Sequence, residues 1–149
     1  MTTIDDLLDI HEIENLRILY SAYFDGREID NLMGLFSDDA VCEFGPEYGG
    51  DWEDPETIRK SFLKYMEREG QAWSVLHAIT NHNIVLTGPG TARGRCYLLD
   101  LNLADGNPDP LYLFGVYDDL YKKVDGQWLI YRTRLDFLWP TRYIMEARE

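Results

Sequence analysis

Residues 91–104 read TARGRCYLLDLNLA, and their alternation decides the fold. In an extended chain Ala92, Gly94, Cys96, Leu98 and Asp100 share one face, while Arg93, Arg95, Tyr97, Leu99, Leu101 and Leu103 share the other. Outward from this stretch, residues 73–86, 111–124 and 127–139 have the same β-branched and aromatic composition. Asp125-Gly126 is a two-residue hairpin turn, and residues 105–110 (DGNPDP) form a loop between the middle pair. The spacing predicts a long antiparallel meander whose strands are about twice the usual five or six residues.

The first half of the chain is helical. Ile13, Leu16, Tyr20, Tyr23 and Phe24 recur at three- and four-residue steps, which predicts a helix over 4–24 ended by Asp25-Gly26. A short helix over 28–36 carries Ile29, Leu32, Met33 and Phe36, and a short strand follows at 40–44. Gly45-Pro46 and Gly49-Gly50 mark an irregular loop. Asp54-Pro55 starts a third helix, with Ile58, Phe62 and Met66 on one side and Gly70 after its end at Glu69. Three helices followed by a meander make an α+β domain. Long strands twist and curl, so the expected shape is a cone-shaped curved antiparallel sheet, with the helices packed on its concave side and an open mouth.

Length and charge narrow the role. At 149 residues, 45% hydrophobic and 28% charged, the chain reads as one domain over 1–149 with a tail over about 140–149. Fourteen Lys+Arg against 27 Asp+Glu leave a net charge of −13, which repels phosphate backbones and anionic lipids. No nucleic-acid or membrane partner is therefore expected. No apolar run approaches the roughly 20 residues of a bilayer span, and the acidic start lacks the pattern of a signal peptide. Cys42 and Cys96 are far apart, so neither a disulfide framework nor a thiolate metal site is expected. The expectation is a reduced, cytoplasmic protein.

On the first long strand Trp73, Val75, His77 and Ile79 share a face, and Asp100 is the only charge within Leu98-Leu99-Asp100-Leu101. Asp is depleted in strands and a buried carboxylate needs a partner. One imidazole and one carboxylate thus stand on an otherwise apolar wall, joined by Tyr20 and Asp25 from the end of the first helix. Each has a plainer reading: a packed core histidine, a turn-forming Asp, a helical aromatic. His82, five residues after His77, faces the other way unless a β-bulge intervenes, and His11 belongs to the surface.

Taken together the pattern resembles the SnoaL-like branch of the nuclear-transport-factor-2-like superfamily. The resemblance rests on the helix-helix-strand-helix-meander order, on Tyr20 to Asp25 ending the first helix, and on the stretches His77 to Asn81, Gly88 to Arg95 and Asp125 to Trp128. Within that branch it is nearest to bile-acid 7α-dehydratase-type enzymes, whose Tyr, Asp, strand His and second carboxylate match Tyr20, Asp25, His77 and Asp100. Those enzymes also use an Arg near the end of the last strand, where this chain has Phe137, with Arg134 nearby. An anionic, CoA-linked steroid is therefore not the implied ligand. The Asp-His pair also resembles the dyad of the superfamily's dehydrochlorinases.

The resemblance implies a lyase, dehydratase or isomerase without cofactor or metal, acting on a small hydrophobic hydroxy- or keto-compound. His77 is the expected base, Asp25 its orienting partner, Tyr20 the group on the departing oxygen, and Asp100 a contact to Tyr20 or substrate. Trp73, Val75, Ile79, Leu98, Tyr23 and Phe137 are the expected substrate walls. The Arg- and Leu-bearing outer face suggests a homodimer unless the tail covers it. The alternatives are a non-catalytic ligand-binding or accessory domain, and a small subunit of a ring-hydroxylating oxygenase.

Overall fold

A computed structural model describes residues 1–148; residue 149, the last of the expected tail, lies outside the described residues. Helix α1 (Ile4–Asp25) opens on a reciprocal cap, in which the Thr3 side chain accepts from the Asp6 N–H and the Asp6 carboxylate accepts from the Thr3 N–H. At its far end Gly26 keeps a right-handed conformation, and Arg27 takes the positive φ of 64°. The glycine serves close packing: a Cβ there would sit 2.9 Å from the Ala22 carbonyl oxygen and 3.3 Å from the Trp73 ring.

Helix α2 (Ile29–Met33) is shorter than the periodicity predicts, because the chain turns at Gly34 and is already extended at Phe36. Strand β1 (Phe36–Glu43) therefore begins before the expected position. A 3-10 turn (Pro46–Tyr48) and a short strand β2 (Asp51–Glu53) occupy what reads as irregular loop. Helix α3 (Pro55–Glu69) follows, with Asp54 accepting from the Thr57 N–H and Pro at the first turn.

Strands β3 (Val75–Gly88), β4 (Thr91–Asn102), β5 (Leu111–Val124) and β6 (Gln127–Trp139) form the meander. Asp125 and Gly126 both take positive φ, as their tight turn requires. The sheet is six-stranded, in the order β2-β1-β6-β5-β4-β3. It is not wholly antiparallel: β1 runs parallel to β6, with Val41 opposite Arg132 and Glu43 opposite Arg134. Its two edges stay apart, so the sheet is curved and unclosed. α1 packs on β3 and β6, and α3 on β1 and β2. The alternation on β4 holds throughout, with Ala92, Gly94, Cys96, Leu98 and Asp100 buried.

β3 is interrupted at Asn81, whose φ is 56° and which breaks the register with β4 between Thr80 and Asn83. The extra residue turns His82 inward, where its Nε2 lies 3.2 Å from the Tyr121 hydroxyl. It joins a buried polar network rather than the open end of the cone. There Arg17 is fully enclosed, donating to both oxygens of Asp119 at 2.7 Å and to the Thr133 hydroxyl, while Tyr121 donates to Asp119 at 2.8 Å.

The C-terminal segment runs back along the outer side of β6. Tyr143 bridges Phe137, Met145 N–H donates to Asp136, and Arg148 reaches Asp118 at 2.8 Å and Glu43 at 2.7 Å. Tyr97 and Leu103 on β4 and its extension stay exposed. Cys42 and Cys96 are buried and unpaired. Among the described residues no helix is long and apolar enough to cross a membrane.

Removing one member of a buried ion pair leaves the other uncompensated. Asp119→Ala is expected to lower the unfolding free energy by about 3–5 kcal/mol, measured by urea denaturation.

Candidate active site

The last residue of α1 reaches His77, the third residue of the meander's first strand. One Asp25 oxygen lies 2.5 Å from His77 Nδ1 and the other accepts the His77 backbone N–H at 2.9 Å. The Asp25 carbonyl accepts the Trp73 N–H at 2.8 Å, so the chain entering β3 is pinned to the helix end from both sides. With Nδ1 occupied by a carboxylate, the neutral ring carries its proton on Nδ1 and presents the Nε2 lone pair.

Asp100 stands directly opposite His77 across the β3/β4 ladder, its Oδ2 3.8 Å from Nε2. That gap is too long for a hydrogen bond. Both side chains are nearly enclosed, at 8% and 7% exposure. Burial works against the charged imidazole, but the Asp25 hydrogen bond and the neighbouring Asp100, Asp25 and Glu69 charges outweigh it and raise the His77 pKa. Burial also pushes the Asp100 carboxyl up, against the pull of His77.

Tyr20 lies one helical turn before Phe24, their rings stacked at 6.3 Å, and its ring meets Phe36, Phe62 and Tyr117 edge-on. The Arg17 guanidinium sits 4.5 Å from the Tyr20 ring centroid and 3.6 Å from that of Tyr117. Burial raises the Tyr20 hydroxyl above its ordinary range, so it remains a proton-bearing donor.

Tyr20, His77, Leu98 and Asp100 all line one inner chamber of about 40 Å³, and Asp25 stands behind the imidazole. An outer chamber of about 590 Å³ shares Tyr48, Tyr65, Glu69 and Asp100 with it and includes Val75. The remaining expected walls fall elsewhere. Trp73 precedes β3 with φ 65° and is 55% exposed, packing over Gly26 at the end of α1. Tyr23 and Ile79 pack against the core without lining either chamber, since the four-residue step from Tyr20 to Phe24 is the one that faces the cavity. Phe137 is buried one layer back, stacked on Tyr48 at 6.0 Å. Arg134 points to the outer side, donating to the Glu146 carbonyl.

Several lining residues escape a strand-by-strand reading. Phe44, Tyr48 and Trp52 come from the β1–β2 segment, Phe62, Tyr65 and Glu69 from α3, and Tyr117 and Leu135 from β5 and β6. Glu69 carried a signal: it falls seven residues after Phe62, on the helix's apolar stripe. One of its oxygens is buried with no hydrogen-bond partner, and burial raises its pKa. Among the described residues no three His, Cys, Asp or Glu side chains are arranged to hold a metal ion. The arrangement offers a base at Nε2, an oriented imidazole and hydroxyl donors, all within a largely aromatic wall.

Comparison with solved structures places this fold among known ones. A candidate scytalone dehydratase from Novosphingobium aromaticivorans superposes with a TM-score of 0.79 at 24% identity, covering 95% of this chain and 92% of that one. The hexachlorocyclohexane dehydrochlorinase LinA-type3 from Novosphingobium barchaimii gives 0.77 at 20% identity, covering 97% and 100%. A protein of unknown function with a cystatin-like fold from Nostoc punctiforme gives 0.76 at 20%, covering 93% and 95%. At these identities the likeness is one of fold. Residues 5–134 match the SnoaL-like domain, and the chain belongs to that family.

Proposed function

We propose that the chain is a cofactor-free lyase of the dehydratase type, eliminating water from a small, hydrophobic, polycyclic or steroid-like hydroxy- or keto-compound. The observation that carries this reading is the Asp25–His77 contact of 2.5 Å, with Nε2 left free toward an enclosed aromatic chamber. His77 takes the carbon-bound proton at Nε2, and Asp25 holds the tautomer and stabilises the imidazolium that results. Tyr20 donates a hydrogen bond to the departing oxygen, and the imidazolium returns its proton to that oxygen, so that the C–O bond breaks and the hydroxyl leaves as water. Asp100, across the gap from Nε2, contacts the substrate. The same set shuttles a proton between carbons where no hydroxyl departs, which is isomerisation.

Fold kinship with a dehydrochlorinase and a candidate scytalone dehydratase agrees with this chemistry. The bile-acid 7α-dehydratase pattern is supported by the gathering of Tyr20, Asp25, His77 and Asp100, while Phe137, behind Tyr48, stands where those enzymes have an Arg. The exposed outward face around Tyr97 and Leu103 is the contact between two copies in a homodimer, since the C-terminal segment lies over β6 instead. Two unpaired cysteines agree with a reducing, cytoplasmic setting.

Four outcomes are expected. With fused-ring β-hydroxyketones as substrates and enone absorbance as readout, His77→Ala lowers kcat/KM by about 10²–10⁴-fold while the circular dichroism spectrum is unchanged; undiminished turnover in this variant would exclude the mechanism. Since the base must be neutral and its pKa is raised, the acidic limb of the kcat/KM profile lies above the ordinary histidine value of about 6.5. Asp25→Asn moves that limb to lower pH and reduces the plateau. In sedimentation velocity the parent protein runs as a dimer and Tyr97→Glu as a monomer.

A further inference from the structure

The two chambers meet at four side chains, Tyr48, Tyr65, Glu69 and Asp100, and two of these are carboxyls with no hydrogen-bonded cation among the described residues. Asp100 is 5% exposed, and its side chain forms no hydrogen bond among the described residues; the nearby His77 Nε2 is 3.8 Å away. One Glu69 oxygen is buried and unbonded. The Arg27 guanidinium comes within 3.9 Å of it, but its N–H groups are directed to the Phe24, Gly70 and Gln71 carbonyls and the Ser74 hydroxyl. Both carboxyls have raised pKa values, because burial outweighs the pull of His77 on each and of Arg27 on Glu69.

The surroundings lean the same way. Asp25 lies behind the imidazole, Glu47 is in the outer wall, and Arg68 is the one cationic side chain among the described residues of that wall. Even with His77 protonated, the groups around the cavity sum to a negative charge. The walls are aromatic faces, whose quadrupoles favour cations. A carboxylate or phosphate entering between Asp100 and Glu69 meets repulsion from both. A neutral hydroxyl brings one donor for two acceptors. An ammonium brings three donors, no acceptor and the missing charge.

We propose that the ligand of this cavity is a ring compound bearing a protonated amine, its ammonium seated between Asp100 and Glu69 and its ring against Tyr48 and Tyr65 in the outer chamber. The inference rests on the lyase reading only in taking this cavity as the substrate site. In that setting the amine is an anchor, and the reacting carbon is the one placed at Nε2.

The experiment is isothermal titration calorimetry with three probes that differ only in the head group: 2-naphthylmethylamine, 2-naphthalenemethanol and 2-naphthoate. The amine is expected to bind about tenfold more tightly than the alcohol, the size of one charge-assisted hydrogen bond, and the naphthoate not measurably. Glu69→Gln and Asp100→Asn are each expected to remove most of the amine's advantage over the alcohol. Equal or better binding of the alcohol, or binding of none of the three, overturns the proposal from the parent protein alone. So does an amine preference that survives both substitutions, since it then reflects the acidic surface. The readout is binding, so loss of the lyase reading and loss of this one are separate results.

Discussion

A single carboxylate joins the two halves of this molecule. Asp25 ends the first helix, and its two oxygens grip one strand residue twice, on the ring and on the backbone. The amide bond holds the acid in place and the ring bond holds the imidazole to the acid, so the carboxylate cannot turn away without breaking both. The Asp25 carbonyl holds the Trp73 amide as well, so the entry to β3 is fixed to the helix end. The imidazole's tautomer and free nitrogen follow from that clasp, and its raised basicity from the clasp together with the Asp100 and Glu69 charges.

Behind the site a second constraint works by burial. Arg17 is wholly enclosed, yet it is paired with Asp119 and lies beneath the Tyr117 ring and beside Tyr20. Such a pair adds little net stability compared with apolar packing, but it tolerates few alternative arrangements. It sets the tyrosines at a fixed distance from the helix axis, and these form one side of the inner chamber. Among the described residues the polar network and the candidate site thus share a wall without sharing a hydrogen bond, and α1 contributes to both.

Much of this was legible in the residue pattern. The β4 alternation placed Leu98 and Asp100 inside, and the four-residue steps of α1 placed Tyr20 there, because period alone fixes which way a side chain points in a regular element. The gathering of Tyr20, Asp25, His77 and Asp100 followed from a family resemblance rather than from spacing. Where the chain is irregular, pattern fails. Trp73 has the right parity but lies before the strand with positive φ, so parity does not apply to it. Tyr48 and Trp52 come from a glycine-rich segment whose fold is set by tertiary packing. The bulge at Asn81 reverses His82, and nothing in the neighbouring residues announces it. The parallel placement of β1 is likewise a long-range choice that local patterning does not encode.

That placement bears on how the chain assembles. Phe36 is partnered by Ile130, so the strand made early in synthesis finds its neighbour only after nearly all the rest has left the ribosome. Until then β1 has only the three-residue β2 along one side, and its other edge is open to strands of other nascent chains. Pairings of such sequence separation slow folding. The short β2 and the charged Asp38, Asp39 and Glu43 on β1 are therefore well placed to keep that waiting edge from joining the wrong partner.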